Sequence, residues 1–411
     1  MTEERVIRQL SPTGSRRWDF VLIELTAGAI ILLVLWPMID VSLGGDHYVF
    51  LAHRLVEGRL DVDNLPRIYG DYVVSHGHKY LPFGPLPAVL LVPFLPLLNI
   101  GMPMVLAGYA FSAINVVLFY RVLKVAGISD ERRHWATLLY FCGTPYLSVT
   151  LVGISTYFAH IVVTTFLLIA IWEALGRRRF LLVGLCLGLA ASARLTALFA
   201  FPFFIWMVWA ERESKEKNPA VAAQFLAVIV GLLAPLLILF WYNYARFGNP
   251  MDTGFEKATL YRDVLYKARS VGLFSVEHIP KNLFMMLLQG PQPVGGDGAA
   301  VLRFPYIEPS PWGMGLFFTS PALLYIFRAP RKERLVQACW LATIATLVPI
   351  VTYYGIGYVQ FGYRYALDFM PFLILLAARG LPAPMTSRAR VLVALSVLIN
   401  IWGAVTLAIW L

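Results

Sequence analysis

The chain has 411 residues, 59% hydrophobic and only 14% charged, with a mean hydropathy of +0.68; a soluble domain carries roughly 25% charged residues, so a water-soluble globular fold is excluded. The formal net charge is +10, but Lys and Arg gather in short loops between apolar runs, which is the positive-inside pattern of a polytopic membrane protein and not a nucleic-acid-binding face. Lipid-exposed backbone must satisfy its own hydrogen bonds, so the spans are expected to be helices, and the ~10-residue alternation of a membrane β-barrel is absent from the sequence.

The N-terminal stretch carries Arg5, Arg8, Arg16 and Arg17 with no short apolar core and small-residue cleavage site after it, so it reads as a cytoplasmic start and not a cleaved signal peptide. Span 1 is placed at about 20–39, leading out to a long loop at 40–101. The run LPAVLLVPFLPLL at 86–98 is short and holds Pro87, Pro93 and Pro96. Crossing there would invert the basic loop of Lys124, Arg132 and Arg133, so the run is expected to stay interfacial or re-entrant beneath the first loop. Spans 2, 3 and 4 fall at about 102–122, 134–152 and 157–175. Residues 180–210 lie between two basic loops and need an even number of crossings, which two short helices meeting at Ser192–Arg194 supply. Span 7 is about 220–241, a second long outside segment covers 242–312, and spans 8 to 11 are about 313–328, 334–354, 366–379 and 390–410. Cys142, Cys186 and Cys339 are far apart in apolar runs, with neither metal spacing nor a disulfide framework. The fold class is therefore an all-α polytopic membrane protein, a single domain over 1–411 with about 11 transmembrane helices and two long outside loops carrying interfacial helices.

Residues 40–84 hold the densest group of Asp and His in the chain. Asp46 in GGDHY precedes the periodic run YVFLAHRLVEG, where it reads as a helix N-cap and equally as a general base held at the membrane face, with His47 beside it. Asp40 sits at the lipid boundary as a simple stop for span 1. Asp61 and Asp63 form a DxD pair, which is either a metal signal or a solvated turn. His78 and Lys79 follow His76; the HxH could bind a metal or line an anionic headgroup site with Lys79. Metal dependence is left open between none and a divalent cation. Arg194, deep in an apolar region, calls for a polar cavity or anion, or snorkels to a helix end. In the last outside loop, YYGIGYVQFGYRYALDFMP, Arg364 departs from the positive-inside bias. Its fork suits a phosphate; the alternative is an ion pair with Asp368, four residues on. No GxGxxG, P-loop or GxSxG occurs in its required context.

The motifs GGDHYVFLAHRLVEGRLD, KYLPFGPLPAVLLVPF, ARLTALFAFP, NYARFGNPMDTGF, GLFFTSPALL and FGYRYALDFMPFL run in order over residues 44–373. Together they resemble the GT-C superfamily of membrane glycosyltransferases, in particular the glycosyltransferase 39-like, protein mannosyltransferase-related family. The resemblance implies a polyprenyl-phosphate sugar donor and transfer to a lipid, glycan or protein acceptor at the outer face of the plasma membrane, the N-terminus lying inside. It places Asp46 as the base on the acceptor and Arg364 at the donor phosphate, where Lys79 and His78 would assist. One departure is evident: the loop TPYLSVTLVGISTYFAH between spans 3 and 4 lacks the second acid that many relatives carry, and His160 is its only ionisable side chain apart from tyrosine. The alternative classes are a transporter or lipid flippase, which would be expected to show an internal repeat, and a glycosyltransferase-like protein without activity.

Overall fold

The computed structural model describes residues 45–66, 69–99, 104–212, 220–260, 262–295 and 301–410. Span 1 and Asp40 lie outside the described residues. The chain is mostly helical: α1 His47–Val56, α2 Leu86–Leu91, α3 Leu95–Leu98, α4 Val105–Val125, α5 Asp130–Cys142, α6 Tyr146–Leu151, α7 Ser155–Leu175, α8 Phe180–Ala193, α9 Phe201–Arg212, α10 Ala220–Phe247, α11 Asp263–Ser270, α12 Ile279–Leu287, α13 Leu316–Thr319, α14 Arg334–Thr352, α15 Met370–Gly380 and α16 Ser387–Trp410. Two small antiparallel hairpins interrupt the helices, β1 Val73–Ser75 with β2 His78–Tyr80 and β3 Gln292–Gly295 with β4 Leu302–Glu308.

Five helices among the described residues are long and apolar enough to cross a membrane: most of α4, α7, α10, α14 and α16. The α7 window is 78% buried and that of α10 28%, so α7 is the axis of the bundle and α10 lies at its edge. Leu226, Val230, Leu233, Leu237 and Ile238 of α10 are all exposed, an apolar face suited to lipid. The expected span at 134–152 is interrupted at Gly143–Pro145, and the one at 313–328 is a short α13 followed by a 3₁₀ stretch, Pro321–Arg328. Proline lacks the N–H and crowds the preceding turn, so the apolar length alone overestimates the regular helix. The run at 86–98 is a broken helix packed beneath α1, as its prolines imply.

The most extensively packed helix pair is α8 with α10. A Cβ at Gly184 would stand 2.0 Å from the Val228 carbonyl oxygen, and one at Gly231 2.1 Å from that of Leu181. Only glycine permits this approach, the small-residue packing that membrane helices use in the absence of a hydrophobic driving force. The helix pair at 180–210 also forms as expected. α8 ends at Ala193, Arg194 is extended (φ −148°, ψ 118°), and a 3₁₀ stretch Leu195–Ala200 leads into α9.

Candidate functional site

The start of α7 gathers the site. Gly45 accepts a hydrogen bond from the Ser155 backbone N–H at 2.8 Å, and Ser155 Oγ accepts one from the Tyr48 N–H at 2.9 Å. Asp46 occupies the N-cap position of α1, and its carbonyl accepts from Val49 and Phe50. Its side chain makes no capping hydrogen bond, which corrects the capping role assigned to it from sequence. Ser155, 107 residues away, satisfies one of the free N–H groups of the first turn instead. The Asp46 carboxylate is thereby left without a hydrogen bond or ion pair among the described residues. Its burial pushes the carboxyl up to about 6, because desolvation disfavours the charged form.

His47 is buried and serves the backbone. Its Nε2 meets the Gly70 carbonyl at 3.0 Å, and its ring packs edge-on against Tyr69 and Phe83. It pins the strap 69–72 across α1. The far side of the strap is tied to the second long loop, where Thr259 N–H donates to Tyr72 O at 2.9 Å and Asp71 N–H to Thr259 O at 3.2 Å. Asp71 holds a left-handed backbone, φ +54°, a conformation that costs a non-glycine residue about 1 kcal/mol or more and needs surrounding support. Burial pushes its carboxyl up to about 6, with the positive charge of Arg364 acting in the opposite direction. The Asp46 charge acts on Tyr69, at the other end of the same strap. The site thus has two desolvated carboxyls, Asp46 at the start of α1 and Asp71 on the strap pinned across it, and the charge of Arg364 acts on the second.

Arg364 is 8% exposed. Its Nη1 donates to Gln360 Oε1 at 2.8 Å and reaches the Tyr358 carbonyl at 3.4 Å. The guanidinium lies 5.2 Å from the centre of the Tyr157 ring and 5.1 Å from that of Tyr365. Nε is buried without an acceptor. Gln360 is fixed in turn by donating to Ile356 O and Trp312 O. Gly357, at φ +85°, makes room for both: a Cβ there would lie 2.5 Å from Gln360 Oε1 and 2.7 Å from Arg364 Nη1. Neutral groups alone hydrogen-bond to this cation among the described residues.

The alternative pairing of Arg364 with Asp368 is not formed. Asp368 is fully buried and taken up by other groups: Arg194 Nε lies 3.0 Å from each carboxylate oxygen, His160 Nδ1 2.8 Å from Oδ1, and Thr196 Oγ1 donates to Oδ2 at 2.5 Å. The segment Arg364–Asp368 is a 3₁₀ turn. With three residues per turn, positions i and i+4 point in different directions, so the α-helical rule behind that pairing does not apply. Arg194 accordingly points into the protein and pairs with an acid, and it does not snorkel. His160, inside the second turn of α7, is a buried ligand of the same acid.

Asp61, Asp63, His78 and Lys79 form a neighbouring cluster on the hairpin. Asp61 accepts from Arg54 at 2.6 Å and Arg59 at 2.9 Å. Its burial raises the carboxyl, and the two arginines outweigh that and hold it down at about 2. His78 Nδ1 sits 2.7 Å from Asp63 Oδ2, and Lys79 N–H donates to Asp63 Oδ1. Lys79 Nζ reaches Leu65 O at 3.3 Å and lies over the Tyr72 ring, next in sequence to Asp71. The structure therefore brings Lys79 to the strap and gives His78 to Asp63, with neither in contact with Arg364. Ligand atoms of Asp61, Asp63 and His78 lie within 4.8 Å of one another, a donor set that suits a divalent cation by type, but a cation there must displace two guanidinium groups from Asp61.

Comparison with protein-family models, curated proteins and solved structures finds no match to this chain. Sequence reasoning missed Asp71, Ser155, Tyr157 and Gln360. The signal for Asp71 was present in YGDYV, a glycine-flanked acid in the same loop as Asp46.

Proposed function

We propose that the chain is a membrane glycosyltransferase of the GT-C type. It moves a sugar from a polyprenyl-phosphate donor to an acceptor hydroxyl on a lipid, glycan or protein. The observation that carries this reading is Arg364: an enclosed cation bound by neutral groups, its nearest acid in sequence consumed by Arg194 and His160, with the desolvated carboxyls of Asp46 at the start of α1 and of Asp71 on the strap across that helix. A fixed cation whose hydrogen bonds among the described residues go only to neutral groups is suited to a phosphate, whose charge develops as the sugar leaves.

In the proposed reaction Asp46 takes the proton of the acceptor hydroxyl. The acceptor oxygen forms a bond to the anomeric carbon as the bond from that carbon to the phosphate oxygen breaks, with inversion. The electron pair goes to polyprenyl phosphate, whose charge Arg364 holds, and Lys79 adds positive charge nearby. Asp71 supplies from the first loop the second acid that the loop before His160 lacks, and it positions Arg364. The chemistry needs no nucleotide. With about 11 spans and the N-terminus inside the plasma membrane, the site faces outward. The test supplies the reconstituted protein with a panel of polyprenyl-phosphate-linked hexoses and pentoses and measures release of polyprenyl phosphate. Binding of a polyprenyl monophosphate is compared with that of the uncharged polyprenol in wild type and Arg364→Ala. Equal binding of the two lipids, or unchanged preference in the variant, overturns the reading.

A further inference from the structure

A second feature lies at the other end of α14. The site meets this helix at its C-terminal end, where Ser275 N–H donates to Thr352 O and Tyr353 feels the Asp71 charge. Near its start an open groove of about 580 Å³ runs between α9, the 3₁₀ stretch Pro321–Arg328 and α14. By helix rise the groove lies roughly 20 Å from the site. Its walls are Trp206, Phe327, Trp340 and Ile344, and Arg331 and Gln337 stand at its mouth.

Four observations give the groove a charge and a direction. Arg331 is exposed, and Gln337 Nε2 donates to its carbonyl, fixing that residue at the mouth. Arg331 and Lys332 make no ion pair among the described residues, and the acid that follows them, Glu333, is engaged by Arg379 at 3.2 Å, so the described residues at the mouth leave a net positive charge. The Trp206 Nε1–H is buried and lacks an acceptor. From the groove an exposed apolar stripe, Leu341, Ile344 and Val348, continues along α14, a helix long and apolar enough to span a membrane.

We propose that this groove is a binding site for an anionic glycerophospholipid. The phosphodiester pairs with Arg331 and Lys332, a head-region oxygen accepts from Trp206, and an acyl chain follows Trp340 and Ile344 along the stripe. Two tryptophans beside a basic loop are the side chains that membranes place at headgroup level, and basic pockets between spanning helices select anionic headgroups. The site is separate from the Arg364 region and does not depend on sugar transfer.

The test places the purified full chain in phosphatidylcholine vesicles and titrates in phosphatidylglycerol or phosphatidylcholine with brominated tails. The quenching of tryptophan fluorescence attributable to Trp206 and Trp340 is read as the difference from a Trp206→Phe/Trp340→Phe variant. Phosphatidylglycerol is expected to win by about fivefold for each basic side chain engaged. That preference should vanish in Arg331→Ala/Lys332→Ala, whose changes lie at exposed positions, and quenching by both lipids should fall in the groove-filling Leu341→Trp after subtraction of its added indole. Equal quenching by the two lipids in wild type overturns the proposal, as does a preference retained in the Arg331/Lys332 variant. Displacement of phosphatidylglycerol by an added polyprenyl monophosphate also overturns it, since the groove would then belong to a polyprenyl lipid.

Discussion

Asp46→Asn separates a catalytic carboxylate from a structural one, because the two roles give opposite signs. The Asp46 carboxyl rises from its ordinary value of 3.8 to about 6 on burial. A difference of that size corresponds to about 3 kcal/mol between the protonation states, and the partial exposure of the side chain reduces it to about 1–2 kcal/mol. The folded pKa lies above the unfolded one, so this contribution to stability is fully present below pH ~4 and is lost as pH rises through about 6. At pH 7.5 the native protein carries a desolvated charge that asparagine, of the same shape, removes. Asp46→Asn is therefore expected to be more stable than wild type at pH 7.5, by about 1–2 °C in melting temperature for a chain of this length, and equal to it at pH 4. Sugar transfer should fall by at least about a hundredfold, and in wild type kcat/KM should fall about tenfold per pH unit below 6 as the base is protonated. Thermal unfolding in detergent and a pH–rate profile measure both. A variant that is destabilised at pH 7.5 shows that the carboxylate has a structural partner. A variant that retains full activity removes Asp46 from the chemistry.

Three further outcomes follow from the same geometry. Asp71→Asn should tighten binding of a polyprenyl phosphodiester several-fold at pH 7.5 by removing a negative charge facing Arg364, with no difference at pH 5, where wild-type Asp71 is already largely protonated; an effect that persists at pH 5 refutes the charge argument. Arg194→Ala leaves the Asp368 carboxylate buried with only His160 and Thr196, and should cost about 3–5 kcal/mol, while an added Asp368→Asn recovers much of it; chemical denaturation of the single and double variants measures the coupling. Ser155→Ala should cost about 1 kcal/mol as a lost cap on α1 and should lower turnover more than donor affinity, since it loosens Asp46 and leaves Arg364 in place.

What was legible in the sequence is what local chemistry decides. Apolar length and basic loops mark the long helices, Pro87, Pro93 and Pro96 break the run at 86–98, and a charge at Arg194 marks the turn between α8 and the following 3₁₀ stretch. What was not legible depends on groups far apart in the chain. Ser155 caps a helix 107 residues before it, Arg194 finds its acid 174 residues later, and Thr259 fixes a strap 187 residues earlier. The Arg364–Asp368 question turned on whether four residues make one helical turn, and that segment is a 3₁₀ turn packed among α6, α7, α14 and α15. The Asp46 position was legible from GGDHY, but the freedom of its carboxylate was not, because that freedom rests on a distant serine doing the capping.

The arrangement also bears on how a loop-borne site is made rigid. Loops carry functional groups and are the mobile part of a fold, whereas a catalytic pair needs fixed geometry. Here both loop halves are fastened to the first two turns of the most enclosed helix. Ser155 holds the start of α1, Tyr157 donates to Val359 O at 2.5 Å and lies under the Arg364 guanidinium, and His160 binds Asp368. Ser155 and Tyr157 are separated by only ~3 Å of rise along the helix axis. The spacing between Asp46 and Arg364 is thus set by one short piece of buried helix, and the length of the loops that bear them has little effect on it. A glycine at 156, which loosens that turn without touching either residue, should for this reason lower turnover while leaving polyprenyl-phosphate binding close to wild type.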